Sequence, residues 1–222
     1  ARVAAAVARR GRSGSAAATF FFRVRDLEWW SGLETASRAL AASGVRVLAY
    51  HAITDVDDPV LNEWMVSPQA LDDHLTALRR AGCTFVDGSM LLAVLAGQAA
   101  APERAVLLTF DDAYADLLPT VGEILRRHEA PAVVFAVSAL VGTANVWDQH
   151  LGASTLPLLD GAGLRRLVDG QIEIGSHSRT HRDLTTLPDA ALVEEVAGSL
   201  EELTGLGLPR PRMLAYPYGE CD

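Results

Sequence analysis

From residue 45 onward, two hydrophobic rhythms take turns along the chain. Short, nearly unbroken apolar runs stand at 45–50, 105–110, 132–137, 172–176 and 213–216, and their length and content predict strands. Between some of them the apolar positions fall three and four residues apart. The stretch 68–81 places Leu71, Leu75 and Leu78 on one side and stops at Gly82, and 115–129 does the same with Leu118, Val121, Ile124 and Leu125. A third helix is predicted over 188–204, with Pro188 near its start, where a missing N–H costs nothing. Nearly continuous apolar strands, alternating with helices, indicate a parallel sheet covered on both faces. Residues 142–163, with four glycines and Trp147, predict a long loop.

This α/β pattern suits both an open doubly wound sheet and a closed barrel. The polar residues favour the barrel. His51, the pair Asp111 and Asp112, His177, and Tyr216 with Tyr218 each stand just past the end of a different predicted strand. A barrel gathers such ends at one mouth, whereas an open sheet has one switch point.

Composition narrows the possibilities. With 222 residues, half of them hydrophobic, the chain can fold one domain around a large core. A net charge of −9 argues against a nucleic-acid binder. The charge is uneven: residues 1–25 carry six arginines and no acid. Residues 1–44 are therefore expected to be a basic Ala/Arg-rich extension, or the tail of an upstream region, ahead of a folded domain at 45–222. All 19 basic residues are Arg, which excludes a Schiff-base or phosphate-loop lysine from this chain. Cys83 and Cys221 lack metal-ligand spacing, and Cys83 is expected to be a small core residue in a helix-to-strand turn. No run of 18 uncharged apolar residues is present, so no membrane-spanning helix is predicted.

Two motifs carry chemistry. Thr109-Phe110-Asp111-Asp112 ends one apolar run, and His177-Ser178-Arg179-Thr180-His181 ends another. One Asp at a helix start is an ordinary N-cap; two in succession exceed that need. Histidines at i and i+4 can reach one ion. An Asp with two His is a three-ligand set that leaves a position open for water, and the spare Asp is then available as a base. Ser178 and Thr180 offer hydroxyls to orient the ligands. His51 reads equally as a capping or core residue and as a general acid. Tyr216-Pro217-Tyr218-Gly219 is either a plain turn or an aromatic surface for a sugar ring, a role for which Trp64 and Trp147 are further candidates. His74, His128 and His150 read as structural or surface residues.

In type, order and spacing, Thr109-Phe110-Asp111-Asp112, His177-Ser178-x-x-His181 and Tyr216-Pro217-Tyr218-Gly219 resemble the first three motifs of the NodB-type polysaccharide deacetylases, carbohydrate esterase family 4, over roughly residues 45–222. The resemblance implies a distorted (β/α)7 barrel, incomplete here on its C-terminal side. It implies removal of N- or O-acetyl groups from a poly- or oligosaccharide at the cell envelope or outside it. The implied cofactor is a divalent ion, most often Zn2+, with Co2+ or Ni2+ as alternatives. By motif, Asp111 would be the catalytic base; Asp112, His177 and His181 would hold the metal. The backbone near Tyr218 would hold the oxyanion, with Tyr216, Pro217 and Trp147 on the substrate side. Tyr50-His51 with Ile53 resembles the N-terminal motif of the circularly permuted subgroup that deacetylates poly-N-acetylglucosamine, which favours His51 as the acid. Two positions depart from the family. Ala215 stands where many members carry an orienting Arg, and Ala113 where Gly is common and a Cβ crowds the backbone. These departures leave a second reading, a catalytically impaired carbohydrate-binding protein of the same fold.

Overall fold

The computed structural model describes residues 20–23, 44–118 and 120–220. Its elements are β1 (Phe20–Arg23), β2 (Arg46–Tyr50), β3 (Ala52–Ile53), β4 (Met65–Val66), α1 (Pro68–Arg80), β5 (Thr84–Phe85), α2 (Gly88–Leu95), β6 (Ala105–Phe110), α3 (Thr120–Arg127), β7 (Ala132–Ala136), α4 (Gly161–Asp169) and β8 (Glu173–Ser176). A last helix runs as α5 (Asp189–Val193), a π-helical stretch (Glu194–Gly198) and α6 (Ser199–Gly205). The main sheet is parallel throughout, in the order β1-β2-β6-β7-β8, with β5 beside the start of β6. Each long strand lies next to its predecessor in the chain, the succession of a (β/α) barrel.

Two cores follow from the period-two alternation of the strands. Leu48, Tyr50, Val106, Leu108, Phe110, Val134 and Ile174 face outward and bury against α1, α3, α4 and α6. The intervening Val47, Ala105, Leu107, Val133 and Phe135 face inward, together with Met90, Leu91 and Val94 of α2, which closes the barrel floor. The Phe135 ring needs Gly175 opposite it, in register on β8; a Cβ there would stand 2.4 Å from the ring. Cys83 is a buried free thiol between α1 and β5, as its position suggested.

Three expectations change. The helix predicted over 115–129 is a 3-10 turn at Ala115–Leu117 followed by α3, because Leu118 precedes Pro119 and is extended. The strand predicted over 213–216 contributes a single parallel bridge, Leu214 to Ser176, with Ser176 N–H on the Met213 carbonyl and Ala215 N–H on the Ser176 carbonyl. The loop predicted over 142–163 ends sooner, at Asp160, whose carboxylate accepts the Gly163 N–H and starts α4. Within the lead over 1–44, Phe20–Arg23 adds β1 beside β2; its other arginines, Glu28, Trp29 and Trp30 lie outside the described residues, as does Cys221. None of the described helices is long and apolar enough to cross a membrane.

Candidate metal and proton-transfer site

The C-terminal strand ends converge. Asp111 and Asp112 leave β6, His51 leaves β2, and His177 leaves β8. Asp111 donates its N–H to the Tyr50 carbonyl at 2.8 Å, which keeps the exits of β2 and β6 together. The chain turns sharply after Asp111: Asp112 and Ala113 are both left-handed, at φ 71° and 57°. Ala113 is buried and adopts the conformation in which Gly would be unstrained.

Asp112, His177 and His181 are all buried, and one donor atom from each lies within 4.8 Å of the other two. Asp112 Oδ1 is 3.5 Å from His177 Nε2 and 3.4 Å from His181 Nε2. Both separations exceed a good N–H···O bond. They match the spacing of about 3.3–3.4 Å between ligands held 2.0–2.1 Å from a tetrahedral ion. His177 Nδ1 donates to the Ala215 carbonyl at 3.0 Å, which leaves Nε2 with its lone pair toward Asp112. Asp112 Oδ1 and His181 Nδ1 are buried without a hydrogen-bond partner among the described residues. Burial raises the Asp112 carboxyl above its ordinary range against the pull of His177 and His51, while the Tyr114 hydroxyl hydrogen-bonds the carboxylate. Burial, then His177 and His51, push the His181 imidazole down to about 2. The set therefore offers two imidazole nitrogens and a carboxyl group with an unused oxygen, a donor set that fits a divalent ion.

Beside it, His51 Nε2 stands 3.9 Å from Asp111 Oδ2, with both side chains partly open to solvent. Two loops wall this space. Trp64, next to β4, packs on His51 at 4.7 Å between ring centroids. Trp147 stacks on His181 at 4.2 Å, and Tyr218 meets the same imidazole edge-on at 4.8 Å. The walls are joined by Asp58, whose Oδ1 accepts the N–H groups of Val60 and Leu61 and whose Oδ2 accepts the Ser154 N–H at 2.8 Å. Buried Asn145 closes the second loop by accepting the Leu156 N–H and donating to the Ser154 carbonyl.

The predicted residues thus separate by position. Asp111, Asp112, His51, His177 and His181 come together, with Trp147 and Tyr218 in ring contact with His181. Pro217 is buried in a short turn where Tyr218 takes φ 61° and the N–H groups of Gly219 and Glu220 close back on Tyr216 and Pro217. Tyr216 is half exposed and lines an adjoining groove of about 420 Å3 with Leu184, Leu192, Val196 and Leu214. His74 is buried against the Tyr50 hydroxyl, His128 pairs with Asp72, and His150 donates to the Trp147 carbonyl, all structural contacts. Tyr114, Asp58 and the direct contact of Trp64 are not foretold by the sequence pattern. Only Tyr114 carries a signal there, its place two residues after the Asp pair.

Comparison with known proteins gives a consistent picture. A family model described as polysaccharide deacetylase matches residues 98–222. YxkH of Bacillus subtilis (strain 168), grouped by name with the polysaccharide deacetylases, is 22% identical over 176 residues, 79% of this chain and 57% of its own length. The chain thus spans little more than half of that curated relative. Among solved structures, IcaB from Ammonifex degensii superposes with a TM-score of 0.70 at 22% identity, over 82% of this chain and 77% of its own. A de-N-acetylase from Aggregatibacter actinomycetemcomitans superposes with a TM-score of 0.66 at 23% identity, over 80% of each chain. At these identities the solved structures speak to the fold, a (β/α) barrel of the deacetylase type.

Proposed function

From the premise that this chain belongs to the polysaccharide deacetylase family, we propose that it hydrolyses acetamido groups on an N-acetylated glycan with the help of a divalent metal. One observation carries the reading: the donor atoms of Asp112, His177 and His181 converge beside a second carboxylate–imidazole pair, Asp111 and His51. Asp112, His177 and His181 would hold the ion, with Zn2+ the best match to the donor set. When bound, such an ion polarises an acetyl carbonyl and lowers the pKa of a neighbouring water toward about 7.

The remaining steps belong to the chain. Asp111 takes a proton from the attacking water as its oxygen bonds to the acetyl carbon. The Tyr218 N–H, in its left-handed turn, donates to the developing oxyanion. His51 gives a proton to the amine nitrogen as the C–N bond breaks, releasing acetate and a free amino sugar. Trp64 and Trp147 flank the cleft and offer apolar faces to a sugar ring. The Tyr50-His51-x-Ile53 motif supports an N-acetylglucosamine polymer as substrate, and the de-N-acetylase among the structural neighbours supports an N-acetyl group as the one removed. Such a polymer places the enzyme at or beyond the cell envelope.

The test is acetate release from N-acetylglucosamine oligomers and from acetylxylan, before and after chelation and after return of Zn2+. Release from the amide substrate that stops with chelator and resumes with metal supports the proposal. Glycan binding with no release under any metal contradicts it and favours the binding protein.

A further inference from the structure

The segment between the two histidines is not held by its own turn alone. Ser178 and His181 are left-handed, at φ 62° and 60°, so the backbone reverses twice within five residues. Beneath it lies Glu195, buried although ionisable. Its Oε2 accepts the N–H groups of Arg179 at 2.9 Å and Thr180 at 2.8 Å, and its Oε1 accepts the Thr180 hydroxyl. Two successive amides on one oxygen form the concavity in which backbones hold anions. The Ser178 hydroxyl also bonds this carboxylate, and Ser178 Oγ accepts the His181 N–H at 3.1 Å. A continuous path of hydrogen bonds thus leads from Glu195 to the backbone of His181.

The helix is shaped for this contact. It widens to π-helical form over Glu194–Gly198, between α5 and α6. A widened turn of this kind rotates the helical segments on its two sides relative to each other, and such turns recur at functional sites. The α6 side is anchored to the barrel: Ser199 shares a 2.7 Å hydrogen bond with Ser176 of β8, and Glu202 holds Ser138 and Arg179. With α6 fixed in this way, the widened turn directs Glu195 into the histidine segment. Gly198 keeps the crossing close, since a Cβ there would come within 3.3 Å of Arg179 Cδ.

We propose that Glu195 is a positioning residue for the metal centre: from its π-helical turn it fixes the backbone between His177 and His181, and thereby the geometry and affinity of the bound ion. The inference rests on the reading of Asp112, His177 and His181 as ligands, and it needs no substrate. The test uses Co2+ alone as the probe. Its affinity is measured by competition with a chelating dye, and its coordination by visible absorption, in the intact protein and its variants.

Glu195→Ala is expected to bind Co2+ about 10–100-fold more weakly, with an altered spectrum. Glu195→Gln keeps an oxygen for both amides and should recover most of the affinity and the original spectrum. Ser199→Ala removes another buried anchor of the same helix, one whose hydroxyl bonds Ser176 of β8 and not the 178–181 backbone that Glu195 holds. It should lower the melting temperature and leave both Co2+ readouts unchanged. His177→Ala should lose the ion. Should Glu195→Ala fail to fold, Glu195→Asp, one methylene shorter, must still show weaker binding. Wild-type affinity and spectrum in Glu195→Ala or Glu195→Asp, or equal losses in Glu195→Ala and Ser199→Ala, overturn the proposal. If His177→Ala binds Co2+ as the wild type does, the ligand assignment itself fails. If His177→Ala loses the ion while Glu195→Ala keeps it, only the role of Glu195 falls.

Discussion

Asp111 and Asp112 are neighbours in the chain and opposites in setting. Asp112 is sealed with His177 and His181, all with side-chain exposures of 2–6%, while Asp111 and His51 keep 16% and 18%. The buried half is braced by the Ala215 carbonyl, by the Tyr114 hydroxyl and, beneath the histidine segment, by Glu195. Among the described residues, the side chains of the open half are held by a long contact of 3.9 Å and by the Trp64 ring. The difference follows from the work proposed for each. Ligands must keep their spacing whether or not substrate is present, so fixed hydrogen bonds suit them. Groups that exchange protons with water and a sugar must stay within reach of both, and their bonds tighten only when substrate arrives.

Variants can break this contrast at several strengths. The largest effect is expected from Asp112→Ala or His177→Ala. Each should abolish metal binding, read by elemental analysis, and acetate release along with it. Asp111→Asn should keep its metal while kcat falls by roughly 10²–10⁴-fold, the usual contribution of a general base. His51→Ala should cost about 10²-fold on an N-acetyl substrate. It should cost less on an O-acetyl one, because an alkoxide leaves far more readily than the amide anion that unassisted C–N cleavage would expel. Equal losses on both substrates would remove His51 from the role of acid.

Asp58→Asn acts on the walls. It weakens the tie between the Trp64 and Trp147 loops and is expected to reduce kcat/KM several-fold without changing metal content. Hydrogen bonds from Ser154 and Leu61 lead those that hold the Asp58 carboxyl down to about 2. Its stabilisation is therefore present above the unfolded value near pH 4 and is lost as pH falls through about 2.

The smallest effect is expected at Asp116, outside both halves, where burial pushes the carboxyl up to about 6 and leaves Oδ1 without a partner among the described residues. A raised carboxyl has the opposite sign: ionisation costs stability as pH rises from about 4, and the cost is complete above about 6. Asp116→Asn should thus raise stability by about 2–3 kcal/mol at pH 8 and change little at pH 4, since a hundredfold change in proton affinity is worth ~2.7 kcal/mol. Thermal melts at the two pH values check this, and an equal gain at both would contradict it.

Much of this was legible in the sequence because two periodicities report burial directly. The runs that became β2, β6, β7 and β8 were nearly unbroken apolar stretches, and α1 and the 189–205 helix showed three-to-four spacing. The helix α2 escaped because Gly88–Leu95 is apolar at nearly every position, although only Met90, Leu91 and Val94 pack on the inner core, and so has no polar face to set a period. Its start was nonetheless written in Asp87, which caps the Met90 N–H. The chemical residues were legible because they are rare types at strand ends. Their supports were not. Glu195 looks like any acid on a surface helix, and only the π-helical turn directs it inward. Asp58 and Trp64 lie in a loop whose sequence does not say which loop it will meet.

If the two carboxylates have separate tasks, Asp111→Asn and Asp112→Asn must differ in bound metal when loaded with Zn2+ and measured side by side. About one ion per chain is expected in the first and none in the second, from the single open-site ligand set. Equal metal content in the two proteins would contradict the division of labour between them.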